Sequence, residues 1–299
     1  MESELFVIVS KLWLRVFVYV VCGWLVGRFW ASRVEKALNV FVAVAVYGLV
    51  PMLVFLMMWE SRVRWAESGR LIMATAGMTF GCALLALVLA RGFQVAFRNV
   101  CLPVVFMNSL YLGLPVNTLL FGTEGGVVTI VFNIVMTIIN FSLGVWWVRR
   151  PDKGLWGELF GLPILYATAA GWILNRVVPC PPVMSQVSRG LGLTVLPFML
   201  FFVGVRMARL KTGSWQLVGA GTLARMGGGM LWGWGFAVLL GLTGMERNVL
   251  VLTAGMPSAV NTYLLAEKFE SDPEFAAAMV TWGTALSAVT IPLMAWLLT

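Results

Sequence analysis

Apolar runs of about twenty residues follow one another along almost the whole chain, and short connections with charges, prolines or glycines separate them. The runs fall at about 5–28, 37–59, 70–90, 99–121, 126–148, 155–177, 184–205, 215–241, 248–266 and 275–298. A helix needs about 20 residues to cross a hydrocarbon core of about 30 Å, and lipid tolerates only backbone whose polar groups are paired. The pattern therefore predicts an all-α polytopic membrane protein with ten transmembrane helices.

The composition argues against soluble proteins and against enzymes. Charged residues make up 11% of the 299 residues and hydrophobic residues 60%, whereas soluble domains carry about 25% charged residues. The chain has no histidine, the commonest general base and metal ligand, and its carboxylates all lie at segment ends or in connections. We therefore expect no enzymatic activity, no cofactor, no metal site and no nucleic-acid partner. The expected surroundings are the lipid bilayer.

The distribution of basic residues predicts the orientation of the chain in the membrane. The formal net charge is +8, and in a membrane protein such a surplus indicates topology first. The odd-numbered connections between predicted segments hold 12 lysines and arginines, and the even-numbered ones hold 6. Because basic loops stay in the cytoplasm, this bias predicts a multi-pass protein of the cell (inner) membrane with both termini outside.

An internal repeat divides the chain into two halves. Residues 113–118 read Gly-Leu-Pro-Val-Asn-Thr, and residues 255–262 read Gly-Met-Pro-Ser-Ala-Val-Asn-Thr. The two prolines, Pro115 and Pro257, are 142 residues apart, and a second pair, Pro51 and Pro197, is 146 residues apart. Each unit holds five predicted spans, so the second enters the membrane upside down, as in secondary transporters. The predicted units are 1–150 and 151–299.

Prolines inside segments four and nine predict that both helices are broken near the bilayer midplane. Proline costs about 3 kcal/mol inside an ordinary helix, and a break leaves a half-helix N-terminus with about half a positive charge and free N–H donors, which suit an anion. Simple kinks, with the nearby asparagines as helix caps, are the alternative interpretation. The candidate substrate-binding residues are Gly113, Pro115, Asn117, Gly255, Pro257, Ser258 and Asn261.

Arg225, Asn133 and Asn140 lie within predicted spans and carry a charge or an amide there. Arg225 lies inside segment eight, where a charge is costly unless it faces a partner or a cavity, or reaches the headgroups. Asn133 and Asn140 are seven residues apart in segment five, so they share one helical face. We expect that face to point into the bundle and to form interhelical hydrogen bonds.

The chain resembles the auxin efflux carrier family of membrane transporters, which includes bacterial malonate and malate permease-like members. The motifs that carry the resemblance are Asn108-Ser109, Leu112-Gly113-Leu114-Pro115, Phe121-Gly122-Thr123-Glu124-Gly125, residues 254–261, Ala266-Glu267-Lys268-Phe269, Asp272-Pro273-Glu274 and Thr290-Ile291-Pro292. The resemblance implies ten helices in two inverted repeats, crossing broken helices four and nine, organic anions as substrates, and a homodimer formed through the scaffold. It also implies that the crossover residues hold the substrate carboxylate.

The hypothesis from the sequence is a permease for a small organic anion, such as a mono- or dicarboxylate. It would work by alternating access, either secondary-active or driven by the membrane potential. The short central connection, unlike the long loop of many plant members, favours a bacterial-type permease over phytohormone transport. The alternative is a sensor or scaffold that keeps the fold and does not transport.

Overall fold

The computed structural model describes residues 18–19, 21–30, 40–41, 44–60, 68–149, 163–208 and 214–298. These residues are mostly helical, and within them the structure forms no β-strand. The helices with described bounds are α1 (Val50–Glu60), α2 (Gly69–Gly92), α3 (Phe97–Val105), α4 (Leu114–Ile139), α5 (Val145–Val148), α6 (Pro163–Val177), α7 (Pro182–Met207), α8 (Trp215–Leu223), α9 (Gly229–Leu239), α10 (Gly244–Ala254), α11 (Val260–Lys268) and α12 (Pro273–Leu298). Four π-helical turns connect or extend them, at Ala45–Leu49, Ser109–Gly113, Asn140–Gly144 and Ala224–Gly228. α4 is interrupted by a kink at Gly122, where φ is 69° and ψ is -164°.

Three helical stretches in the described part of the chain are long and apolar enough to cross a membrane, Gly69–Gly92, Glu124–Val148 and Pro273–Leu298. They confirm the predicted all-α polytopic class. The count of ten spans and the inverted arrangement of the two halves stay predictions. The first predicted segment lies partly, and the junction between the two predicted units entirely, outside the described residues.

The hydrophobic core lies among the helices of 71–148 and 217–298. Small residues allow the helices to approach closely, as is usual in membrane bundles. A Cβ at Gly171 of α6 would collide with Phe55 and Met58 of α1, and one at Gly81 of α2 would collide with the ring of Trp232 in α9. These close approaches fix the neighbours of α1 and α2.

The same polar contact occurs twice, once in each half of the chain. The Thr79 hydroxyl lies 3.0 Å from the sulfur of Met136, and the Thr222 hydroxyl lies 3.5 Å from the sulfur of Met279. Each pair is 57 residues apart in sequence. The second pair follows the first by 143 residues, close to the 142 residues between Pro115 and Pro257. This recurrence is what a duplicated unit would produce.

Two helices are interrupted where they meet, and the interruptions pair with each other. Residues 106–108 separate α3 from the π-helical turn before α4, and residues 255–259 separate α10 from α11. Met107 and Ser258 form an isolated antiparallel bridge. The amide of Asn108 donates to the carbonyl of Pro257 at 2.8 Å, and that of Ala259 donates to Phe106 at 2.9 Å. Backbone amides and carbonyls that have no helical partner at one break are thus hydrogen-bonded to the backbone of the other break.

The break in predicted segment four does not fall at Pro115. That residue lies in the first turn of α4, directly after the π-helical turn Ser109–Gly113, and the extended residues are 106–108. The backbone is already helical before Pro115, with Gly113 at φ -63° and ψ -47°, and the π-helical turn directly before the proline accommodates its missing N–H without an extended break. The expectation of a break at Pro115 was therefore wrong, while Pro257 does lie within the break in segment nine.

Candidate functional site

The seven predicted site residues divide into one that lines a cavity and six that lie elsewhere at or near the crossing. Asn261 lines the cavity described below. Pro257 contributes its carbonyl to the pairing of the two breaks, and the Ser258 hydroxyl donates to the carbonyl of Pro103 at 2.6 Å. Gly255 ends α10 against Met294, where a Cβ would collide with the methionine side chain.

The remaining predicted residues belong to the π-helical turn and the first turns of α4. Asn117 is 0% exposed, and its Nδ2 donates to the Thr253 hydroxyl of α10 at 2.8 Å. The amide of Gly113 donates to the carbonyl of Asn108 at 3.0 Å. Pro115 follows two residues later in the chain. The structure therefore does not bring Asn117 and Asn261 together in one cavity.

A cavity of about 60 Å³ lies between the crossing and the helix that follows it. Its lining residues come from both breaks, from the π-helical turn Ser109–Gly113, from the second half of α4 with its continuation, and from the start of α11: Phe106, Met107, Asn108, Ser109, Leu110, Asn133, Met136, Thr137, Asn140, Phe141, Ala259, Val260 and Asn261. None of them is charged. The volume suits a few water molecules or a small polar ligand.

Asparagine amides supply most of the polar atoms of this cavity. The Ser109 hydroxyl donates to Oδ1 of Asn133 at 2.8 Å, which leaves Nδ2 as the group of Asn133 that can donate to a ligand. Oδ1 of Asn140 and Oδ1 of Asn261 are buried without a hydrogen-bond partner. Because rotation of an amide exchanges its oxygen and nitrogen, both residues can offer a ligand either a donor or an acceptor. The prediction that Asn133 and Asn140 share an inward face is confirmed.

The cavity also contains the beginning of a half-helix. α11 starts at Val260, its N-cap residue Ala259 is extended, and no side chain caps it. Val260 and Asn261 both line the cavity. A helix N-terminus presents amide donors and about half a positive charge. Together with the neighbouring amides, this end of α11 forms a polar cavity with a positive bias.

Arg225 is the functional residue whose environment the sequence did not reveal. It lies in the π-helical turn between α8 and α9, is 0% exposed, and neither reaches the headgroups nor lines the cavity. Its Nη1 donates to the carbonyls of Val104 at 2.9 Å and Val105 at 2.6 Å, and its Nη2 donates to the carbonyl of Ala254 at 2.7 Å. The guanidinium thus binds the last carbonyls of both interrupted helices.

The glycines that follow Arg225 make room for this arrangement. A Cβ at Gly229 would collide with Nη2 of Arg225 and with the carbonyl oxygen of Ala254, whereas a Cβ at Gly227 would meet nothing. In sequence, the run Gly227-Gly228-Gly229 is typical of close packing between membrane helices. The one available signal of a special role was an arginine next to such a run, deep inside an apolar segment.

Comparisons with known proteins agree with a membrane role. Residues 148–295 match the model of a family described as membrane transport protein. A protein of Methanothermobacter thermautotrophicus named an uncharacterized transporter is 28% identical over 209 residues, which cover 62% of this chain and 63% of that protein. A second uncharacterized transporter, from Methanocaldococcus jannaschii, is 23% identical over 205 residues, which cover 64% and 65%. The chain covers less than two thirds of the length of either relative.

Proposed function

We propose that this multi-pass chain belongs to the family described as membrane transport protein, the auxin efflux carrier family, and that it carries a small organic anion across the cell membrane. The proposed substrates are mono- and dicarboxylates. The proposed site is the cavity at the start of α11, with Asn261 as its central residue. The observation that supports this proposal is that an uncapped helix N-terminus and four asparagines, Asn108, Asn133, Asn140 and Asn261, line one cavity without any acidic side chain.

A carboxylate fits the chemistry of this cavity. Its two oxygens accept hydrogen bonds from backbone amides at the start of a helix, where the dipole favours negative charge. The Nδ2 groups of Asn133 and Asn261 add donors. Hydrogen bonds between an ionised acceptor and such donors are stronger than those between neutral groups, and the apolar surroundings weaken competition from water. Binding would therefore require no direct arginine ligand.

The transport step we propose is alternating access around the crossing. The breaks are held to each other by two backbone hydrogen bonds, so the cavity and the crossing would move together relative to α1, α6 and α7. Asn117 occupies the repeat position corresponding to Asn261, but its Nδ2 already donates to the Thr253 hydroxyl. We propose that the cytoplasmic side is the side of the odd-numbered connections, with both termini outside.

Flux in proteoliposomes tests this function. Purified protein would be reconstituted and supplied with labelled malonate, malate or indole-3-acetate, with an imposed voltage and with or without a sodium gradient. We expect protein-dependent uptake and counterflow of at least one of these anions. No flux of any of them, combined with no thermal stabilisation by any of them, would contradict the proposal and favour a sensor or scaffold.

A pair of matched variants assigns the flux to the cavity. Asn261→Asp places a negative charge at the start of α11 with almost no change in shape, and we expect it to reduce anion uptake at least about tenfold because like charges repel. Asn99→Asp makes the same change in the first turn of α3, outside the cavity lining. Equal uptake by the two variants, at equal amounts of folded protein, would exclude this cavity as the binding site.

A further inference from the structure

The buried guanidinium of Arg225 binds the C-terminal ends of the two helices that stop at the crossing. Each of these ends carries a partial negative charge. α3 ends at Val105 and α10 ends at Ala254. Its partners in the described structure are backbone carbonyls of those two ends, and no carboxylate is bonded to it. The positive charge of Arg225 is therefore not neutralised by an acidic side chain.

The charges at the crossing can be compared in sign and size. Each helix C-terminus carries about half a negative charge, so the ends of α3 and α10 together oppose one guanidinium. The start of α11 carries about half a positive charge and has no side-chain cap. With Arg225 present, its charge offsets the negative C-termini of α3 and α10, and the positive N-terminus of α11 dominates the electrostatic field in the cavity. Without it, the two C-termini would outweigh that end.

We infer that Arg225 is a specificity-determining, positioning residue that gives the cavity its preference for anions without touching the substrate. This inference rests on the proposed function. Arg225 is 0% exposed and lies outside the cavity lining, and its described hydrogen bonds all go to carbonyl oxygens. It acts through the field of its charge and by holding the two helix ends together. A lysine at this position would keep the charge, and a glutamine would remove it.

Anion binding by three proteins tests the inference. Wild type, Arg225→Lys and Arg225→Gln would be purified, checked for a single folded species, and titrated with malonate, malate and indole-3-acetate while thermal stabilisation is recorded. The relevant quantity is the anion concentration that gives half of the maximal stabilisation. We expect this concentration to rise at least about tenfold in Arg225→Gln and to stay within about threefold of wild type in Arg225→Lys. Arg91→Gln, at an exposed arginine near the end of α2, is the control for loss of a positive charge.

The outcomes separate the inference from the proposed function. If wild type is stabilised by none of the anions, the proposed function fails and the inference fails with it. If wild type binds an anion and Arg225→Gln binds it equally well, only the inference is overturned. Equal losses in Arg225→Lys and Arg225→Gln would show that hydrogen-bond geometry, and not charge, is what matters.

If Arg225→Gln does not fold, other variants at the same position still test the inference. Arg225→Met removes the charge with an apolar side chain of similar length and serves as a second neutral variant. Where neither neutral variant folds, the comparison of wild type with Arg225→Lys decides, because the carbonyl acceptors favour the charged ammonium. Affinity within about threefold supports a role for the charge, and a tenfold loss in folded Arg225→Lys overturns it.

Discussion

Gly229→Ala should destabilise the protein far more than Gly227→Ala, although the two glycines are two residues apart. A Cβ at Gly229 would collide with the Arg225 guanidinium and with the backbone oxygen of Ala254, and that oxygen cannot move without shifting the end of α10. A Cβ at Gly227 has no neighbour within 4 Å. The two substitutions share the gain in helix propensity of about 1 kcal/mol, so their difference isolates the contact with Arg225.

The size of the difference follows from two losses. A hydrogen bond from the charged guanidinium to Ala254 is worth about 2 kcal/mol, and forcing a methyl group into an occupied space costs about 2 kcal/mol. The expected gap in free energy of unfolding is therefore about 4 kcal/mol, or about 6 °C in Tm for a chain of this size.

Thermal unfolding in detergent, followed by tryptophan fluorescence, measures this gap directly. The 14 tryptophans provide the signal, and size-exclusion chromatography checks that each variant is monodisperse before heating. We expect Gly227→Ala to melt at or slightly above the wild-type temperature and Gly229→Ala to melt about 6 °C below Gly227→Ala. Melting of the two variants within about 3 °C of each other would refute the conclusion that Arg225 is held tightly against α9 and α10.

Three further substitutions probe single contacts. Asn117→Ala removes the donor to the Thr253 hydroxyl and should lower the free energy of unfolding by about 1 kcal/mol, seen as a lower Tm; an unchanged Tm would mean that this bond contributes nothing. Ser258→Ala leaves the buried carbonyl of Pro103 without its hydroxyl donor, so we expect a loss of about 2 kcal/mol, whereas Ser258→Thr should retain the hydrogen bond. Asp272 caps the first turn of α12, and burial raises the pKa of its carboxyl group. Because the folded state then holds the proton more tightly than the unfolded state, the free energy of unfolding falls as pH rises through the folded-state pKa. Asp272→Asn keeps a cap without charge and should melt higher than wild type at pH 7, with the gap closing toward pH 4; a gap independent of pH would contradict this assignment.

Much of the helical structure could be predicted from hydropathy alone. The predicted segment 70–90 is the helix Gly69–Gly92, and the predicted segment 275–298 is the helix Pro273–Leu298. These predictions succeed because the length and apolarity needed to cross a bilayer are properties of a continuous stretch of chain. The break at Pro257 was likewise predictable, since a proline inside an apolar helix must be accommodated by local structure.

The prediction for the first repeat failed for a reason that lies outside the repeat itself. Pro115 looks equivalent to Pro257, but the residues that leave the helix are 106–108, because those residues pair with 257–259 across the crossing. Sequence similarity between two halves locates an equivalent proline, and it does not decide which turn of the helix opens. That decision depends on which backbone groups find partners in the other half.

The sequence by itself determined the solvent and the secondary structure of this protein: a bilayer, helices long enough to enter it, and a proline that interrupts one of them. Tertiary structure alone decided which residues form the cavity and what Arg225 does. The carbonyl of Val105 is 120 residues from Arg225 in sequence, and the hydroxyl of Thr253 is 136 residues from Asn117. Hydropathy and proline act on neighbouring residues, whereas a buried charge or amide is satisfied only by groups that the completed fold brings beside it.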